Sequence, residues 1–418
     1  MIKKLLIFVS IIQCVIPAFS FAQDIDESLV AIRSSFKTKL LREVNDNDPI
    51  TPPPSELFSL VKYPTAIGDM SAYLSKADGS NTKQAAIIWI TGGFPAGGMD
   101  SSAWTSVSPS NDQSAKIYRQ SGMVMMYPFL RGSGGNPGYQ EGFFGEVDDV
   151  LSALKYLQKI EYVDPKKIYL GGHSTGGTLA LLVAAHTDEF RAIFAFGPVA
   201  DPKVYGPNNA LHDSTNELEN KLRAPINYIS LIKSPTYVIE GTEGNIDSLN
   251  KLQSINKNKN IIFLPVKGAN HFETLAPINQ YIANQITNSN DMQLALKESE
   301  VQTAYVDFQI SLREASDLQL LANIRRNGVK LNKPKKINYY FLARNRDPLT
   351  KTAKDLTSLG FKTNTIESRK DSNQETFYLL MAKKQVNLLD LKSVFSISTQ
   401  LTQLGNKYQV QYDGWAVQ

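Results

Sequence analysis

The segment Gly172-His173-Ser174-Thr175-Gly176 restricts the fold of this chain more than any other stretch. It lies between a short apolar run at 168–170 and an apolar stretch at 179–185. A serine flanked by glycines in that setting reads as a tight turn joining a buried strand to a helix. Such a turn strains the serine backbone, and a side chain at either flanking glycine would collide with neighbouring chain. The turn also lifts the serine hydroxyl clear of a sheet and sets it at a helix N-terminus. Ser174 is therefore a candidate nucleophile.

The surrounding sequence supplies the sheet that such a turn needs. Apolar runs at 85–90, 123–127, 168–170, 192–196, 236–239 and 261–264 read as buried strands. Between them, Val147, Val150, Leu151, Leu154 and Leu157 recur at helical spacing. Strand–helix alternation over this length predicts an α/β domain with a mostly parallel sheet at residues 54–290. Residues 23–53 read as a polar leader closed by the stiff run Thr51-Pro52-Pro53-Pro54. Beyond 290 the pattern changes to strand 337–342, helix 352–359, strands 362–366 and 377–381, and a helix within 388–404. That order predicts a second, ferredoxin-like α+β domain at residues 295–418. The charge changes as well, from about −5 over 23–294 to about +7 over 295–418. A chain ending near Asn290 is accordingly expected to fold and keep its reactive serine.

A serine hydroxyl is a poor nucleophile until a base lies within hydrogen-bond reach. The chain has four histidines. His173 adjoins the serine and should point elsewhere, His186 closes a helix, and His212 lies in a polar loop. His271, in Gly268-Ala269-Asn270-His271-Phe272 just after the last strand, is the expected base. The acid that orients it should follow the strand at 236–239. Glu243, in the turn beyond the strand, is preferred, ahead of Glu240 and then Asp247. Two backbone N–H groups are needed for the developing oxyanion. The expected donors are Thr175 and, from the turn Gly92-Gly93-Phe94-Pro95, Gly93 or Phe94.

These motifs, with Arg131-Gly132-Ser133-Gly134-Gly135, make residues 85–272 resemble the prolyl-oligopeptidase/dienelactone-hydrolase branch of the α/β-hydrolases. The resemblance implies an α/β-hydrolase fold and a serine hydrolase acting through an acyl-enzyme, with peptidases, esterases and acyl transferases in its range. Thr91 stands where that family usually has histidine, and the family's acid position aligns best with Gly244. The tail has its own likeness. Asn338-Tyr339-Tyr340-Phe341, the helix end at 356–360, and Tyr412-Asp413-Gly414-Trp415 resemble the ribonuclease E regulator B family. That likeness implies a small α+β fold, and no nucleic-acid partner is expected from it.

The N-terminus sets the expected compartment. Lys3 and Lys4 precede an apolar stretch, and Ser20 and Ala22 fit a signal-peptidase site after residue 22. The stretch is too short for a dedicated membrane span. The chain is thus expected to be periplasmic or secreted, with no stable membrane insertion. Its single cysteine, Cys14, lies in the signal, so the mature core must hold without disulfides. No metal is expected, because no cluster has ligand spacing. No nucleotide cofactor is expected either, because no G-K-[ST] follows the glycines at 132–135. The expected substrate is a small ester or short peptide. The competing expectation is a binding or scaffold protein with an inactive hydrolase domain and a basic tail that makes the contacts.

Overall fold

The computed structural model describes residues 25–79, 82–94, 97–288 and 294–418, so the signal segment at 1–22 lies outside the described residues. Helix α1 (Ile25–Ser35) falls in a first unit that ends at Thr38, and Lys39–Gln418 form a second.

The first sheet of the second unit has eight strands. They are β1 (Phe58–Thr65), β2 (Gly68–Ser75), β3 (Gln84–Ile90), β4 (Val124–Pro128), β5 (Val163–His173), β6 (Ile193–Phe196), β7 (Thr236–Gly241) and β8 (Ile261–Val266). The order is β1-β2-β4-β3-β5-β6-β7-β8. Strands β3 to β8 run parallel, and the β1–β2 hairpin adds antiparallel to β4. Helices α2 (Ile117–Gln120), α3 (Glu146–Leu157), α4 (Thr175–Ala184), α5 (Glu217–Arg223), α6 (Ile246–Ile255) and α7 (Leu275–Asn288) lie between them in the chain. A parallel sheet covered on both faces needs strands that are apolar on both faces. Ile87, Ile88, Trp89 and Ile90 meet that need, all fully buried in succession. Every residue of α4 is buried, as befits a helix that is apolar all round. This is the expected α/β-hydrolase arrangement, with the β1–β2 hairpin as an addition.

Helix α8 (Glu298–Arg326) leads to a separate antiparallel sheet. Its strands are β9 (Lys335–Ala343), β10 (Lys362–Thr363), β11 (Glu367–Lys370), β12 (Thr376–Val386) and β13 (Gln411–Val417). The path is β10-β12-β9-β13, with β11 paired on β12. Helices α9 (Arg346–Ser358) and α10 (Leu391–Tyr408) complete the ferredoxin-like layer expected of the tail.

Two boundaries read from the sequence differ from the packing. Leu296, Val301 and Tyr305, assigned to the tail, are buried in the core of the first sheet, whereas Leu321 of the same helix joins the second core. The two cores therefore share α8 rather than parting at 290–295. Residues 40–53, read from the sequence as part of the leader and its stiff linker, are bonded into the second unit. Asp46 N–H donates to the Gly132 carbonyl (2.9 Å), Gln140 N–H to Val44 (2.9 Å), and Leu41 N–H to Leu211 (2.7 Å). Buried backbone groups seek such partners, and this strap supplies them.

Candidate active site

Strand β5 carries the chain between β3 and β6 and ends at His173. Ser174 follows with φ +56° and ψ −115°, and Thr175 opens α4. A positive φ at a non-glycine residue costs about 1–3 kcal/mol and persists only where the surroundings enforce it. Here the Ser174 N–H donates to the Phe196 carbonyl at 2.8 Å. A Cβ on Gly172 would overlap the Gly176 carbonyl, and one on Gly176 would overlap the carbonyl of Ile90. The two glycines are thus what lets the strand turn straight into the helix. The serine stands at a helix N-terminus, where backbone N–H groups favour negative charge.

His271 arrives on the loop after β8, and its Nδ1 lies 2.8 Å from Glu240 Oε2. The other oxygen of Glu240 accepts the Gly241 N–H at 2.7 Å. Glu240 is fully buried, whereas the His271 side chain is partly open. Gly197, at φ +57°, makes room for the pair, since a Cβ there would overlap His271 Cε1 and press on Glu240. The sequence reading prefers Glu243 as the partner of His271, and the structure seats Glu240 there. The reason is that β7 runs on to Gly241, so Glu240 still belongs to the strand and points inward. Glu243 N–H is held by the Ala269 carbonyl (3.0 Å), and its exposed side chain lines a separate cavity of about 890 Å³ together with Glu273. Burial and the charge of Glu273 push the Glu243 carboxyl up. Asp247 is exposed in the first turn of α6.

His173 does not point away from the site as expected. It is fully buried, its ring centroid is 4.5 Å from that of His271, and its Nε2 lies 3.1 Å from the His271 carbonyl oxygen. That oxygen can only accept, so the neutral ring donates from Nε2 and turns its unprotonated Nδ1 to the side-chain amide of Gln113, whose NH2 can donate to it. Burial, reinforced by the charge of His271, lowers the His173 pKa to about 3. His173 is thus a neutral brace under the His271 loop. The side chain of Ser174 has the Tyr205 hydroxyl as a neighbour; contacts between a nucleophile and its base often tighten only when substrate is bound.

The oxyanion candidates also meet. Thr175 Oγ1 donates to the Gly93 carbonyl at 2.6 Å, tying the 92–94 turn to the first turn of α4. A Cβ at Gly92 would stand 3.0 Å from Ser174 Cβ, so the turn passes directly over the serine. Thr91 Oγ1 donates to Gly98, away from this point. Beside the turn, Phe94, Phe143 and Tyr205 form an aromatic cluster with centroids 5.2–6.2 Å apart. Cavities of about 250 and 350 Å³ open around Phe94 and Phe143, the second reaching Leu179 and Leu130. The cluster and the cavity beside Leu179 were not legible in the sequence, because Phe143 and Tyr205 sit on loops without periodic pattern. No group of three or more His, Cys, Asp or Glu side chains among the described residues could hold a metal ion. No helix among them is long and apolar enough to cross a membrane.

A strained serine between a parallel strand and a helix, on this sheet order, defines the α/β-hydrolase fold class. Within it, residues 109–238 match the model of the prolyl oligopeptidase family. Residues 314–417 match the model described as regulator of ribonuclease activity B. Over 137 residues the chain is 28% identical to "Uncharacterized peptidase YtmA" of Bacillus subtilis (strain 168), covering 30% of this chain and 53% of the relative. The chain thus spans about half the length of that curated relative. Among solved structures, it is similar to an acylaminoacyl peptidase of Pyrococcus horikoshii (13% identity, TM-score 0.45), over 59% of this chain and 44% of that one. It is also similar to an esterase of Pyrococcus furiosus (16% identity, TM-score 0.44), over 59% of this chain and 96% of that one.

Proposed function

We propose that this chain is an exported serine hydrolase that cleaves small esters or short peptide amides. The observation that carries the reading is Ser174 held at φ +56° at the head of α4, its N–H on the Phe196 carbonyl, with the His271–Glu240 pair packed against the next residue, Gly197. Ser174 Oγ adds to the carbonyl carbon and its proton passes to His271 Nε2. Glu240 holds Nδ1–H and steadies the imidazolium that forms. Thr175 N–H and an N–H of the Gly93–Phe94 turn receive the oxyanion. Return of the proton to the leaving group releases it and leaves an acyl-enzyme, which water then hydrolyses by the same steps.

The match to a peptidase family supports the amide side of this range, and the compact aromatic cavities at Phe94 and Phe143 suit a small acyl group. Labelling with a fluorophosphonate, which phosphonylates activated serines, tests the nucleophile. The wild-type chain is expected to label at Ser174, and Ser174→Ala to lose labelling and at least about 10⁴-fold of its ester turnover without unfolding. A folded Ser174→Ala protein with near-normal turnover would overturn the reading.

A further inference from the structure

The second sheet has one face filled and one face open. Along β9 the side chains alternate between the two, as strand geometry requires. Ile337, Tyr339 and Phe341 are buried in the second core, together with Leu380 and Ala382 of β12. Helices α8, α9 and α10 send Leu321, Leu349 and Leu401 into that same core. Lys336, Asn338 and Tyr340 therefore lie on the opposite face, and the strand register adds their neighbours there. Lys383 stands opposite both Lys362 and Asn338, Met381 opposite Tyr340, and Leu379 opposite Leu342. Tyr340, Met381 and Leu379 belong to neither core.

Two properties set this face apart from a merely solvated one. Lys362 and Lys383 are directly opposed, and Lys336 lies one diagonal step from Lys383. Like charges facing each other across strands destabilise a sheet. The acids on neighbouring strand and turn positions are already taken, Glu367 by Arg369 (2.7 Å) and Asp371 and Glu375 by Arg344 (3.1 Å each). Among the described residues none of the three lysines has an acidic partner. Beside them, half-buried Tyr340, Met381 and Leu379 present an apolar strip. A soluble anion would satisfy the lysines but has no use for that strip. An anionic lipid surface meets both needs. Its headgroups pair with the ammonium ions, and its headgroup–acyl boundary takes up a tyrosine and two flexible apolar side chains.

We propose that this open face of the tail docks on an anionic lipid surface. The net charge, about −5 over 23–294 and about +7 over 295–418, lets such a surface draw the tail and repel the hydrolase part. The contact is peripheral, because these side chains reach only the headgroup layer. It is independent of the chemistry assigned to Ser174.

The test is co-sedimentation of the full chain, processed after residue 22, with two kinds of vesicle. One is phosphatidylcholine alone, and the other an equal mixture of phosphatidylcholine and phosphatidylglycerol. The chain should bind the mixed vesicles, not the neutral ones, and about 1 M salt should release it. Each lysine at a charged surface contributes about fivefold in affinity, so the triple change Lys336→Gln, Lys362→Gln and Lys383→Gln should weaken binding roughly 10²-fold. Its melting temperature should not fall, since the opposed charges are gone. The pair Tyr340→Ser and Met381→Ser keeps every charge and should weaken binding roughly tenfold. Turnover of soluble p-nitrophenyl acetate should match the wild type in both variants. Equal binding to the two kinds of vesicle, no binding to either, or wild-type affinity in the folded lysine variant would overturn the proposal. Wild-type affinity in the Tyr340 and Met381 variant, with equally tight binding of polyglutamate or single-stranded DNA, would overturn it too and make the face a site for soluble polyanions.

Discussion

Glu240 and Glu243 are three positions apart, yet the structure gives them opposite environments. Glu240 accepts from both His271 and Gly241 N–H in a dry site. Glu243 is exposed beside another carboxylate. Glu240→Gln should cut turnover by roughly 10²- to 10⁴-fold by disturbing the imidazole tautomer, while Glu243→Gln changes it little. Steady-state kinetics on the two variants decide the matter, and the reverse ranking would restore Glu243. His173 makes a second prediction, about stability. Its folded pKa is lowered, from 6.5 to about 3, so the unfolded chain binds the extra proton between those values. The neutral form's stability is fully present above pH 6.5 and is lost as pH falls toward 3. The loss should amount to about 1.4 kcal/mol per pH unit in that window. Urea unfolding at pH 6.5 and pH 5 should show the wild type losing about 2 kcal/mol more than His173→Asn. Equal losses would mean that His173 titrates normally in the fold.

At the scale of elements, legibility followed the strength of the local pattern. Parallel strands announce themselves, because burial on both faces demands unbroken apolar runs such as 86–90 and 192–196. The serine elbow was legible because its glycines are sterically forced. The β1–β2 hairpin was not, since exposed Leu60, Lys62 and Pro64 break up the first strand and the buried Ser71 and Ser75 interrupt the apolar run of the second. Helix α8 was missed for a different reason. Only Val301, Tyr305, Asp317 and Leu321 are buried along its 29 residues, and they serve two cores rather than one continuous stripe. A helix polar over most of its surface gives no periodic signal, because its helicity is fixed by what each end packs against. The carboxylate beside His271 is Glu240 rather than Glu243 because β7 runs two residues beyond the apolar run 236–239, to Gly241. A polar residue at the end of a buried strand breaks the apolar run, so the run alone ends short of the strand.

For the whole molecule, α8 decides where the chain can be cut. Its first half braces the loop that carries His271: Tyr305 Oη donates to the Gly268 carbonyl at 3.0 Å, and Lys267 N–H donates to Gln302 Oε1 at 2.8 Å. Its second half holds the tail, through Arg313 to the Tyr412 carbonyl (2.7 Å) and Trp415 Nε1 to Asp317 (2.7 Å). A chain ending at Asn290 loses Leu296, Val301 and Tyr305 from the first core. Burial of side chains of this size contributes roughly 1.5–3 kcal/mol each, a total comparable to the stability of a whole domain. Such a chain should therefore be poorly soluble or weakly labelled by a fluorophosphonate, contrary to what the sequence alone suggests. A chain ending at Ser311 keeps those three side chains and both bonds to the 267–268 loop, and leaves out the second core. It should fold, label at Ser174 at close to the full-length rate, and lack any unfolding transition that belongs to the ferredoxin-like part. The comparison needs only expression, a labelling time course and a thermal melt for the two truncations beside the full chain. Normal labelling of the chain ending at 290 would mean that α8 is dispensable to the hydrolase core. Loss of labelling in the chain ending at 311 would mean that the second core itself supports the His271 loop.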